Sequence, residues 1–198
     1  MNTLSNLMFW ISSGFLVPVV VALLYFFVRS LLLLGDFVSK YVRRMRMEKE
    51  LNAAMENLNE GNVRELKFSP EISSQALASC IHRIIGNSYN EAVVNKTVSE
   101  YELARGKELD QAKILVKFGP ILGLMGTLIP MGPALAGLSS GDIASMAYNM
   151  QVAFATTVLG LFAGAVGFVL YQTKQRWAQK DLVRLDFVSQ LMKQSQNA

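Results

Sequence analysis

Three hydroxyls, those of Thr127, Thr156 and Thr157, stand in two runs, 118–141 and 143–173, that contain no Asp, Glu, Lys or Arg. In an apolar run a Thr hydroxyl bonds to its own backbone, to a neighbouring helix or to a water-filled path. If the two runs are antiparallel helices joined by a short turn, Thr127 lies about 12 residues before it and Thr157 about 14 after it, roughly 18 and 21 Å along each helix, so the hydroxyls are expected in one polar layer. Such a layer can accept a hydrogen bond or ligate a cation, but it cannot be charged and neutralised in turn. No span interior holds Asp, Glu, His or Lys, and proton transfer through a membrane generally needs an ionisable group, so a conducting assembly would take that group from another chain.

Other chemistry is thin. The lone His82 has no companion at ligand spacing, and no glycine-rich loop ends in Gly-Lys-Ser or Gly-Lys-Thr, so neither a catalytic residue nor a metal site is assigned and the chain is not expected to be an enzyme. The single cysteine, Cys80, allows no intrachain disulfide and reads as a small buried apolar residue in a reducing compartment.

The elements that must position the hydroxyls are membrane helices. Each uncharged run exceeds the ~30 Å hydrocarbon core at ~1.5 Å per residue. The stretch 1–28 is a third such run; it lacks the basic start and small-residue cleavage site of an export signal and is expected to remain as an anchor. Gly119, Gly123 and Gly126, and Gly160, Gly164 and Gly167, give each of the later spans a small-residue face for close helix packing. Pro120 follows the first of these glycines, and Pro130 and Pro133 are expected to kink or unwind the helix beyond Thr127.

Charge placement orients the bundle. Lys40, Arg43, Arg44, Arg46 and Lys49 follow the first span, Arg105, Lys107, Lys113 and Lys117 precede the second, and Lys174, Arg176, Lys180 and Arg184 follow the third. The opposite pieces, 1–8 and 138–142, carry no Lys or Arg, which is the positive-inside pattern rather than a nucleic-acid patch. Trp10 and Tyr148 fall near the outer boundary, Tyr171 and Trp177 near the inner one, and Arg29 snorkels from the end of the first span.

The fold expected is an all-α membrane protein with three transmembrane helices and long cytoplasmic helical extensions, the N-terminus outside and the C-terminus in the cytoplasm. Its segments are a first span at 1–35, a cytoplasmic helical region at 36–113, a second span at 114–137, an external turn at 138–145, a third span at 146–173 and a cytoplasmic amphipathic tail at 174–198. Within the cytoplasmic region, breaks are expected at 59–62 and 68–71, where Ser69 caps and Pro70 opens a short helix running to about Ile85. In the tail, Ala178, Leu182, Leu185, Val188 and Met192 form a stripe expected to pack on the other cytoplasmic helices or on neighbouring subunits.

At this point the chain resembles the MotA/TolQ/ExbB family of ion-channel subunits. Gly119-Pro120 followed by Gly-Leu-Met-Gly-Thr127 is similar to that family's second-span motif, and Ala153-Phe-Ala-Thr-Thr157-Val-Leu-Gly160 to its third. The three-span layout is nearer to ExbB and TolQ than to the four-span MotA. The resemblance implies an A-type subunit of a rotary motor driven by ion-motive force: a homopentameric channel around a dimer of an ExbD-, TolR- or MotB-like partner, whose single span carries an Asp. Thr127 and Thr157 would line the interior facing that Asp, with Thr156 the alternative to Thr157, and Gly160 three residues after Thr157 matches the family spacing. The ion would be H⁺, or Na⁺, with no cofactor; the location would be the bacterial or archaeal cytoplasmic (inner) membrane. The work delivered would serve envelope or protein transport or another mechanical process. Val152, with Gln151 beside it, stands where ExbB and TolQ commonly carry Glu, so that acidic residue's role has no counterpart here. The competing reading is a structural scaffold that assembles a partner membrane protein without conducting ions.

Overall fold

Long apolar runs interrupted at few points by helix breakers fold as long helices. The computed structural model describes residues 2–56, 58, 76–87 and 90–197. These form α1 (Asn2–Gly14), α2 (Leu16–Glu56), α3 (Ala76–Gly86), α4 (Glu91–Ser140) and α5 (Ile143–Asn197), with no strand among the described residues. The first run is divided after Gly14, whose carbonyl would have bonded the N–H that Pro18 lacks. The breaks expected at 59–62 and 68–71, with the Ser69 cap and Pro70 start, lie outside the described residues. Asn90 caps α4, its Oδ1 accepting from the amides of Ala92 at 3.1 Å and Val93 at 3.3 Å.

Three helical stretches are long and apolar enough to cross a membrane: Leu7–Ala53, Glu91–Ser140 and Ile143–Gln194. Their apolar side chains are not hidden within the chain; Leu32 is 70% exposed, Leu124 61% and Val158 66%. A run of such residues turned outward on every long helix needs an apolar surrounding.

The chain divides into two units. The first comprises Met1–Asp36 and Gln111–Tyr171, and the second Phe37–Asp110 and Gln172–Ala198. In the first, the antiparallel pair α4–α5 is closed by a two-residue turn. Gly141 has φ +77°, its N–H bonds the carbonyl of Leu138 at 3.2 Å, and the amide of Asp142 bonds Gly137 at 2.8 Å, the Schellman arrangement. Asp142 then caps the next helix, Oδ1 accepting from the amide of Ser145 at 3.0 Å. The turn is tighter than the sequence suggested, because Ser139 and Ser140 donate their hydroxyls to Ala136 and Gly137 carbonyls and stay helical. We expect Gly141→Ala to cost about 1 kcal/mol through its left-handed backbone alone, since nothing lies within 4 Å of the added methyl. Gly106→Ala, equally open but inside α4, should stabilise by about 0.5–1 kcal/mol. Unfolding in mixed micelles, read side by side, tests the opposed signs.

The second unit has an apolar core of Leu51, Leu77, Ile81, Ile84, Leu185 and Val188, none of them exposed beyond 2%, joined by Cys80, Val94, Tyr101 and Met192. Leu185, Val188 and Met192 of the tail stripe pack in this core, with Leu182 at its margin. Trp177, read from the sequence as an interfacial aromatic, stacks on Phe37 at 5.5 Å and packs on Tyr41 at 5.7 Å. Burial pushes the Cys80 thiol up, which fits a small apolar residue rather than a reactive thiolate.

Candidate functional site

The site is built on α4 and α5, whose glycines bring the two backbones into contact. A Cβ placed on Gly119 would meet the Gly160 carbonyl oxygen at 2.7 Å and the Gly164 nitrogen at 2.8 Å; one on Gly160 would meet Gly119 O at 2.6 Å and Gly123 Cα at 2.7 Å. Gly164 seats the ring of Pro120, 2.8 Å from the same virtual atom, and Gly167 seats Leu115. The six glycines named from the sequence therefore all lie at this one contact between α4 and α5.

At one end of the glycine seam the packing changes from backbone to hydroxyl. The Cβ that Gly126 lacks would sit 2.6 Å from Thr156 Oγ1, so the missing side chain of one helix makes room for the Thr of the other. Thr156 is 4% exposed and donates to the carbonyls of Val152 and Ala153, at 3.0 and 2.9 Å. Thr157 keeps part of its surface and donates to Ala153 at 3.0 Å, while its Cα lies 3.6 Å from the Gly123 virtual Cβ. Thr127, also half-buried, donates to Leu124 at 2.7 Å. The structure thus brings Thr156 onto Gly126, the neighbour of Thr127, and leaves Thr127 and Thr157 with open surface.

All three hydroxyl protons are spent within their own helices. What each oxygen still offers is lone-pair capacity. The arrangement can accept from a protonated carboxylic acid or water, or ligate a monovalent cation. It cannot itself release a proton.

Pro120, Pro130 and Pro133 all lie inside α4, which continues unbroken to Ser140. The unwinding expected beyond Thr127 is therefore not found. Each interior proline removes one rung of the ladder while the other rungs persist. Arg29 donates from Nη1 to the Tyr25 hydroxyl at 2.7 Å and lies 5.9 Å from that ring's centre.

A second polar cluster escaped the sequence reading. In the second unit Asp181, 2% exposed, receives both terminal nitrogens of Arg44, Nη1 at 3.0 Å, and the Tyr101 hydroxyl at 2.7 Å. Arg44 also lies over Trp177 at 5.8 Å. Burial first, and the Asp181 charge second, push the Tyr101 phenol well above its usual range. Around it, Lys180 bonds Glu48 at 2.7 Å and holds that carboxyl below its usual value, and Arg184 bonds Asn52 at 2.6 Å. Asp181 stands three residues after Ala178 and four before Leu185, on the buried stripe itself, and that register was the available signal.

Three helices long and apolar enough to cross a membrane, two of them packed on glycines, define a multi-pass helical membrane protein. The model of the MotA/TolQ/ExbB proton channel family matches residues 69–186, more than half of the chain, and the protein belongs to that family. Membership implies a proton channel of an energy-transducing complex. No curated protein matches the chain.

Proposed function

We propose that this protein is the A-type subunit of an ion-driven rotary motor in the cytoplasmic membrane of a bacterium or archaeon. Five copies enclose a dimer of single-span, ExbD/TolR-like partners, and Thr127 and Thr157 face the partner's intramembrane Asp. What supports this reading is that the hydroxyls of Thr127, Thr156 and Thr157 each donate within their own helix, with Thr156 set against Gly126, in two spans that contain no carboxylate. A protonated partner carboxyl can donate into such a layer, and Na⁺ can be ligated by it; H⁺ is favoured by the family description. Between the two third-span hydroxyls, Thr157 is preferred because Thr156 is spent on packing inside the subunit. One charge crossing ~150 mV releases roughly 3.5 kcal/mol, enough to bias a step between two partner orientations.

Native mass spectrometry of the complex, extracted through a tag on this chain after co-expression with its genomic neighbours, should show five copies with two of an Asp-bearing single-span partner. A monomer or dimer, or a partner with no intramembrane carboxylate, would instead place the scaffold reading ahead. In liposomes holding that complex, Thr157→Val and Thr127→Val should each lower ion flux about three- to tenfold, the loss of one hydrogen-bond acceptor, with assembly intact. Dissociation of the assembly by either variant would assign that Thr to packing.

A further inference from the structure

Two outward faces of the second unit carry opposite charge. On α4, Glu102, Leu103 and Asp110 line an open groove of about 610 Å³, with Lys107 as its one cation. On α5, Arg176, Lys180 and Arg184 line another of about 600 Å³, with Glu48 of α2 as its one carboxylate. Each face turns one large apolar side chain outward, Leu103 at 67% exposure and Val183 at 69%. Both stand among charges and outside the uncharged runs 118–141 and 143–173, so lipid is not their cover. Glu102, Asp110 and Arg176 have no ion-pair partner among the described residues.

The two faces also agree in level. Tyr101 bonds Asp181 at 2.7 Å and Lys193 bonds Glu91 at 2.6 Å, so each residue gained along α4 is matched by one lost along α5. Glu102 is then level with Lys180, and Gly106 with Arg176. Arg176 therefore lies midway between the levels of Glu102 and Asp110, about 6 Å from each, which its long side chain can cover. Val183 falls within one turn of the level of Leu103. Copies standing side by side in one membrane keep these levels and meet in register. A face of either sign repels its own copy and attracts the other face, which selects a head-to-tail contact over a two-fold one.

We infer that each groove is filled by a second copy of this chain: the 102–110 face of α4 in one copy docks on the 176–183 face of α5 in the next. Leu103 packs against Val183, Asp110 pairs with Arg176, and Glu102 pairs with Lys180, which spends one of its three N–H donors on Glu48. This deepens the proposed assembly and rests on it for the number of copies, though not for the contact.

Leu103→Cys and Val183→Cys, carried on differently tagged copies and co-expressed, should be joined in native membranes by a short bismaleimide. Neither variant expressed alone should form a dimer, because a head-to-tail contact never brings one position against itself; the wild type, whose Cys80 is buried, gives the background. Asp110→Lys and Arg176→Glu should each lower the yield of the mixed product about two- to fivefold, the worth of an exposed ion pair, and the two together should restore it. Dimers from either cysteine variant alone would overturn the inference, as would an adduct with a different protein in place of the second copy. Five copies by native mass spectrometry with no mixed product would also overturn it and leave the motor reading standing. The mixed product in a complex that holds no Asp-bearing partner would uphold the contact and sink the motor reading instead.

Discussion

Gly160→Ala is expected to be the most damaging single methyl that can be added to this protein. The new Cβ would lie 2.6 Å from the Gly119 carbonyl oxygen, 2.7 Å from Gly123 Cα and 3.0 Å from Gly123 N. All three are backbone atoms in the middle of a helix, so no rotamer change relieves the overlap and α4 must move off α5. Overpacking of this kind costs about 1–3 kcal/mol where side chains can yield, and the upper end or beyond applies here. Separation would also undo the contact between Gly126 and Thr156. Recovery of folded protein from membranes and its thermal midpoint in detergent should both fall. Gly119→Ala, whose Cβ meets the Gly160 carbonyl at 2.7 Å, should cost nearly as much, and the double variant should cost less than the sum because one displacement answers both clashes. Gly123→Ala, with its nearest contact at 3.3 Å, should be milder. Wild-type stability in Gly160→Ala would show that the two helices do not depend on backbone contact.

The second large effect is expected at Asp181. Its carboxylate is 2% exposed and answers Arg44, itself 11% exposed, together with the Tyr101 hydroxyl. Asp181→Ala would take its bonded carboxylate from the enclosed Arg44 guanidinium, whose Nε already has no hydrogen-bond partner. Breaking a buried pair from one side costs about 3–5 kcal/mol. Replacing both members with apolar residues, Arg44→Met with Asp181→Leu, should recover most of that loss, because the penalty comes from the stranded charge. Tyr101→Phe removes a single donor and should cost only about 1 kcal/mol. Denaturant or thermal unfolding of the three variants checks the order; a double variant as unstable as Asp181→Ala would mean that the pair itself, rather than its neutralisation, holds the second unit together.

What could be read from the chain, and what could not, follows from the range of the interactions involved. The glycine seam was legible because Gly119, Gly123 and Gly126, and Gly160, Gly164 and Gly167, repeat at helical spacing within single runs, and only close packing explains so many glycines in apolar helices. Counting outward from one turn put Thr127 and Thr157 near one depth; the contact the structure prints is between their neighbours, Gly126 and Thr156. The Arg44–Asp181 pair was not legible, since its members are 137 residues apart and each sits among surface-type charges. Only the register of Asp181 on an apolar stripe hinted at burial. Pro130 and Pro133 misled in the other direction: a proline deletes one bond, and a helix held on both sides by rungs and neighbours survives that deletion. The division after Gly14 is the converse case, where Gly14 and Pro18 act on the same hydrogen bond.

The turn at Gly141–Asp142 also bears on how the protein is made. With only two residues between helices, neither α4 nor α5 can enter a bilayer without the other close behind, so the pair reaches the insertion machinery as one hairpin. Between Phe118 and Thr173 the hairpin carries a single ionisable carboxylate, Asp142, and no Lys or Arg. On the proposed topology, translocating its tip means dehydrating one acid and hauling no cation against the membrane potential.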